Sequence, residues 1–321
     1  VVVTTVAAPR RTGTCRLTVG VGLFLSACLA AEPQDRVFRS ANRTVSVYAT
    51  VQSGDRLVTD LPREAFQVLD NGRAQPISLF ENRAQPISMV VMLDTSESML
   101  GNLALVRNAA VQMFMRLLPN DRARVGTFGR RIRISDAFTS DTETLVRTLW
   151  SDMQAGGGTP LWPAVQHAMS SLGTEEGRRV VLVFSDGHDG GETGSDAAFE
   201  LPVTLEEVTA RAIADQFIVY GIALRSRSTV QGHGRTSPPS HPDPSLRALA
   251  AETGGGYFLL DDDRHLGTTF ARVADELHRQ YLIGYALPAA DGGRHVVEVR
   301  VNSPALTVRA RKSYVAPRSS R

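Results

Sequence analysis

The sequence predicts an α/β protein: a doubly wound, mostly parallel, Rossmann-like sheet over residues 86–280, bracketed by two β-rich segments. Three observations carry this. Met89–Leu93 and Val180–Phe184 are wholly apolar, as expected of strands covered on both faces of a parallel sheet. Helical stripes alternate with such runs for about two hundred residues, the pattern of successive right-handed crossovers. On either side, β-branched residues recur with period two, the signature of strands with one buried face.

Taken in order, Val37 to Glu81 is strand-like. Thr44–Val51 is rich in β-branched residues, and Ser53-Gly54-Asp55 reads as a turn. Ala65–Leu69 is a strand closed by Asp70-Asn71-Gly72, a hairpin signal that makes Ile77–Phe80 the expected return strand. Arg-Ala-Gln-Pro-Ile-Ser at 73–78 recurs at 83–88, too short a period for a solenoid and without a third copy. After Met89–Leu93 comes a helix with Leu103, Val106, Ala110, Met113, Phe114 and Leu117 on one stripe. Arg124–Phe128 is a strand, with Arg131–Ile134 its short antiparallel neighbour. Helices are expected at 141–151, 160–172, 204–215, 245–252 and 264–279. Strands are expected at 180–184, 217–222 and 257–260, and 226–244 reads as a long Ser/Gly/Pro/His surface loop. Tyr281–Leu287, His295–Val301 and Ala305–Ala310 return to β. The resulting domain scheme is 36–85, 86–280 and 281–317. The outer two are expected to pair as one small β-sandwich, because neither has strands enough to bury a face alone.

Composition excludes several classes. The 321 residues are 42% hydrophobic and 21% charged, near the globular average, so neither a disordered chain nor a fibrous repeat is indicated. A net charge of +2 gives no basic face for nucleic acid. Two cysteines, Cys15 and Cys28, cannot build a disulfide framework or a Cys-rich zinc site. Lys312 is the only lysine, so every other basic residue is arginine, a bias read as genomic composition because the arginines are scattered.

Residues 1–27 read as an export leader. Arg10, Arg11 and Arg16 precede the apolar run Leu17–Ala27, and no acid occurs before Glu32. Leu25-Ser26-Ala27-Cys28 resembles a bacterial lipobox, which implies lipidation at Cys28, a membrane anchor and a place in the periplasm or cell envelope. Ordinary cleavage nearby, for instance after Ala31, is the alternative. Without its leader the chain has 32 basic and 33 acidic residues.

The chemistry gathers where the buried runs end. Met89–Leu93 leads into Asp94-Thr95-Ser96-Glu97-Ser98, and Val180–Phe184 into Ser185-Asp186-Gly187. Between them, Gly156-Gly157-Gly158-Thr159-Pro160 is a glycine-rich loop opening a helix. In open α/β sheets, ligands bind outside the carboxyl ends of strands where the strand order reverses. Two carboxylates with hydroxyls are hard oxygen donors that suit Mg²⁺, with Mn²⁺ or Ca²⁺ as alternatives, and a partner's carboxylate could fill an open position.

These three segments resemble the metal-ion-dependent adhesion site of von Willebrand factor type A domains. The resemblance implies Ser96, Ser98 and Thr159 as hydroxyl ligands, and Asp94 and Asp186 as carboxylates binding directly or through water. It also implies a protein partner presenting an acidic side chain. Val58–Phe66 and Val308–Pro317 further resemble a von Willebrand-related family common in Acidobacteria.

Two other classes compete with a cation-dependent binding module. One is a structural scaffold whose metal site bridges to no partner. The other is a hydrolase using Ser96 or Ser98 with His167 or His188 as base, although the chain lacks a G-x-S-x-G elbow. An Asp94 phosphoryl-transfer site is disfavoured because Ser96 stands where a second Asp would be needed. His188–Asp196, His233 and His241 match no metal-ligand spacing.

Overall fold

A computed structural model describes residues 44–186, 203–225 and 244–318, apart from residue 262. The expected leader, Cys28, His188–Asp196, His233 and His241 therefore lie outside the described residues.

The chain begins with β1 (Thr44–Ser53), β2 (Arg56–Leu57), β3 (Phe66–Asp70), β4 (Arg73–Gln75) and β5 (Ile77–Glu81). There follow β6 (Ile87–Asp94), a 3₁₀ turn at Glu97–Asn102, α1 (Leu103–Phe114), β7 (Arg122–Phe128) and β8 (Arg133–Ile134). Next come α2 (Thr142–Asp152), α3 (Leu161–Ser171), β9 (Arg178–Ser185), α4 (Leu205–Ala214) and β10 (Ile218–Leu224). The last α/β elements are α5 (Pro244–Thr253), β11 (Tyr257–Leu260) and α6 (Leu266–His278). The chain finishes with β12 (Tyr281–Ala286), β13 (Arg294–Val301), β14 (Thr307–Ala310) and β15 (Ser313–Val315).

The central sheet has the order β11-β10-β9-β6-β7-β8, parallel except for β8, which runs antiparallel to β7. Period-two side chains send alternate residues of each strand into opposite layers. Met89, Val91 and Leu93 of β6 and Leu182 and Phe184 of β9 pack with α1, α2 and α6. Val90, Met92, Val181 and Val183 pack with α3, α4 and α5. Covering both faces explains the unbroken apolar runs. Local signals set the helix starts. Asp141 accepts from the Glu143 and Thr144 amides to cap α2, and Thr204 with Glu207 forms a capping box on α4.

The terminal strands build two further sheets that share an apolar interior. One has the order β14-β1-β12-β5, with β2 beside β1; the other is β15-β13-β3-β4. Val47, Ala49 and Val51 of β1 meet Tyr281, Ile283 and Tyr285 of β12, and Val68 of β3 meets Val299 of β13, in one buried cluster.

The hairpin expectation needs correction. Asn71 (φ 47°) and Gly72 (φ 77°) do make the tight turn, but the returning strand is β4, not Ile77–Phe80. Pro76 lacks an amide donor and separates β4 from β5, which leaves to pair antiparallel with β12 in the other sheet. Leu117, expected on the first helix, lies beyond its end but still packs against the same core. Arg131 likewise lies outside the two-residue strand β8.

Candidate functional site

The chain runs from β6 to β7 and β8 toward one edge, then crosses back to β9, β10 and β11 on the other side of β6. The strand order therefore reverses between β6 and β9, and a crevice opens at their carboxyl ends. Leu93 lies in register with Phe184, so Asp94 and Ser185 are neighbours there. Both strand ends carry the polar residues singled out in the sequence.

Asp94 is fully buried. Its Oδ1 accepts a hydrogen bond from the Ser96 amide at 2.9 Å, and its Oδ2 accepts one from Ser185 Oγ at 2.6 Å. Burial pushes its carboxyl up to about 6, against the opposing hydrogen bonds from Ser185 and Ser96, and the charge of Asp186 adds to the rise. Asp186 is itself buried. Ser96 Oγ and Ser98 Oγ lie 3.1 Å apart, the first buried and the second exposed to solvent.

Hydrogen bonds join the loop after β6 to the end of β7 and to the glycine loop. Thr95 donates twice to the Phe128 carbonyl at the end of β7, through its amide at 2.7 Å and its Oγ1 at 3.0 Å. The Thr95 carbonyl accepts from the Gly156 amide at 2.8 Å, and the Gly157 carbonyl accepts from the Glu97 amide at 3.2 Å. Gly157 sits at φ +84°, where a Cβ would stand 2.5 Å from the Arg130 backbone, so a side chain is excluded for two reasons. Thr159 is buried just ahead of α3, two residues past the carbonyl that holds Glu97.

The structure thus brings Asp94, Ser96 and Ser98 together, sets Asp186 within electrostatic reach of Asp94, and leads to Thr159 through the glycine loop. Thr95 and Ser185 were not singled out in the sequence, although both belong to the quoted motifs and position their neighbours. Among the described residues, no group of three His, Cys, Asp or Glu side chains is placed to hold a metal ion by itself. A cation at this crest would therefore depend on hydroxyl oxygens as well as the two carboxylates. The fit is favourable: a buried carboxyl with a second one nearby is short of positive charge, and hydroxyls complete a hard oxygen donor set.

Residues 89–188 match the family model of the von Willebrand factor type A domain. Among solved structures, proximal thread matrix protein 1 from the mussel byssus, with a zinc-occupied MIDAS motif, is 15% identical with a TM-score of 0.50. That match covers 66% of this chain and 50% of the mussel protein, so this chain spans half of that protein's length. A von Willebrand factor type A protein from Catenulispora acidiphila is 12% identical over 88% of this chain and 76% of its own, with a TM-score of 0.48. BatB from Bacteroides thetaiotaomicron is 17% identical over 60% of this chain and 98% of its own, with a TM-score of 0.43. No curated protein matches this chain. With its glycine-linked crest at the switch point of a doubly wound sheet, this chain carries a von Willebrand factor type A domain.

Proposed function

We propose that this chain is an exported, divalent-cation-dependent binding module that captures an acidic side chain of a protein partner. The supporting observation is the gathering of Asp94, Ser96, Ser98 and Asp186 at the switch point, with Thr159 delivered by the adjoining loop. Ser96, Ser98 and Thr159 would supply hydroxyl ligands, and Asp94 and Asp186 would neutralise Mg²⁺ directly or through water. When bound, the cation supplies a Lewis-acidic position for a partner's carboxylate. Ser185 and the Ser96 amide hold Asp94 in place, and Thr95 fixes the loop that presents both serines. The serine hydroxyls pair with each other, which supports ligation over nucleophilic catalysis.

Calorimetric titration of the metal-free protein with Mg²⁺ tests this reading. One site is expected, lost in Asp94→Ala while far-ultraviolet circular dichroism is unchanged. Equal Mg²⁺ binding by the variant would overturn the assignment. We further propose that Cys28 anchors the exported chain through a lipid. The expected mass increment on Cys28 must vanish in Cys28→Ser.

A further inference from the structure

We infer that Met99 is a positioning residue for the cation crest: its buried side chain moors the turn that presents Ser98 beside Ser96. The consequence for cation binding rests on the metal-binding reading above, whereas the mooring has its own geometry. The 3₁₀ turn Glu97–Asn102 follows Ser96 directly and carries Ser98. Turns of this kind are short and weakly bonded, so they depend on tertiary support. Ser96 stands at the N-cap, but its side chain makes no capping bond; its Oγ lies instead 3.1 Å from Ser98 Oγ. Glu97, Ser98, Leu100 and Gly101 are exposed, and a Cβ added at Gly101 would meet no atom within 4 Å. Met99 is the one buried residue of the turn, and it is fully enclosed.

A buried methionine is most often core filling and nothing more. The cluster that encloses Met99 gives it a further role. That cluster also holds Leu93, which immediately precedes Asp94, and Phe184, which immediately precedes Ser185 and Asp186. One apolar layer therefore seats the foot of both strand ends and of the turn between them. The strands are fixed besides by their ladder, Leu93 in register with Phe184. The turn has no ladder. Its backbone is tied by the Met99 amide to the Ser96 carbonyl at 3.0 Å and by the Glu97 amide to the Gly157 carbonyl at 3.2 Å. Shortening Met99 leaves a space that the core only partly closes. Leu100, 57% exposed, is the adjacent apolar side chain able to turn into it. Either response carries Ser98 away from Ser96, and groups that orient metal ligands commonly set affinity by about ten- to a hundredfold.

The test compares Met99→Ala with Met113→Ala. Met113 is fully buried in the same cluster but lies ten residues along α1 from Leu103, about 15 Å further from the crest. Both variants should melt at lower temperature than wild type. Calorimetric titration with Mg²⁺ should show affinity about tenfold or more weaker in Met99→Ala and unchanged in Met113→Ala. Met99→Leu, which keeps the buried volume, should bind Mg²⁺ nearly as wild type does. In EDTA, amide hydrogen exchange read by NMR should be about tenfold faster at Glu97 and Met99 in Met99→Ala than in Met113→Ala. Should Met99→Ala not fold, Met99→Val against Met113→Val makes the same comparison. Unchanged Mg²⁺ affinity in Met99→Ala, or an equal loss in Met113→Ala, overturns the positioning role and leaves the metal reading standing. A loss in Met99→Leu as large as in Met99→Ala also overturns it, since buried volume would then not be what moors the turn. Absence of Mg²⁺ binding by wild type removes the metal reading. In that event faster exchange confined to Met99→Ala still upholds the mooring, and equal exchange in the two variants overturns it.

Discussion

Ser185 Oγ donates a 2.6 Å hydrogen bond to Asp94 Oδ2, joining the ends of the two strands between which the sheet reverses its order. The bond fixes the carboxyl but does not offset the cost of burying it. Burial wins, and the group stays protonated up to about pH 6 in the metal-free fold.

Because the folded-state value lies above the ordinary 3.8, the folded protein holds this proton more tightly than the unfolded chain does. Metal-free stability should therefore fall as pH rises from about 4 through about 6, by roughly 3 kcal/mol for this group. Asp94→Asn should lack that fall, so metal-free Asp94→Asn should be the more stable form at pH 7 by about 1–3 kcal/mol. Urea unfolding at pH 4 and pH 7 measures both. Parallel profiles for the two proteins would refute the claim. Adding Mg²⁺ at pH 7 should stabilise wild type and leave Asp94→Asn unchanged.

Gly157→Ala should disturb the crest from the glycine loop. A left-handed conformation costs a non-glycine residue about 1–2 kcal/mol, and contact with the Arg130 backbone adds to that. A loss of about 2 kcal/mol or more, with weaker Mg²⁺ binding, is expected from urea unfolding and calorimetry. Gly54→Ala is the comparison, with φ +57° but no atom within 4 Å of the added Cβ.

A second polar cluster lies where α6 meets β10 and the terminal strands. Glu276 Oε1 accepts from Tyr220 Oη at 2.6 Å and from Arg309 Nη2, while Gln280 Nε2 donates to Thr50 Oγ1 at 2.7 Å. Glu276 is fully buried. Glu276→Leu leaves the Arg309 cation without its partner and should cost about 3 kcal/mol. Glu276→Leu/Arg309→Leu should recover much of that, a non-additivity that a double-mutant cycle in urea detects. Strict additivity would show that the pair is not coupled.

Inside the terminal sheets, Asp70 accepts from Tyr285 Oη at 2.8 Å and Tyr314 Oη at 2.7 Å, and its Oδ1 lies 2.7 Å from His295 Nδ1. Burial opposes the imidazolium, but hydrogen bonds and charge from Asp70 and Asp291 outweigh it and raise the His295 value above 6.5. The stabilisation is thus fully present below about pH 6.5 and is lost as pH rises through the higher folded value. The stability gap between wild type and His295→Gln should be widest near pH 5.5, about 1 kcal/mol or more, and narrow by pH 9. A gap that widens with pH would reverse the assigned sign.

Much of this protein was legible in its sequence because the informative signals are local. Unbroken apolar runs at 89–93 and 180–184 identify strands covered on both faces, and Leu266, Phe270, Val273 and Leu277 mark the buried stripe of α6. Asp94, Ser96, Ser98, Thr159 and Asp186 stand out because each follows a strand or opens a helix. Ser185 did not stand out, since its value lies in reaching a carboxylate ninety-one residues away.

The sequence by itself determined the longer elements, their order and the donor types at the crest, since periodicity, caps and turn chemistry act over a few residues, whereas the short strands β2, β4 and β15 carry no such pattern. Only the tertiary structure decided the partners. Pro76 releases Ile77–Glu81 from its hairpin to pair with β12, a choice set by which edge is free and which apolar face needs cover. Likewise Glu276 meets Arg309 and Tyr220, and Asp70 meets two tyrosines and His295, across separations no local pattern encodes. The arginines at 130–133 read as composition in the sequence. They became a pocket once β7, β8 and the glycine loop had been folded against one another, because a concavity is a property of packed surfaces.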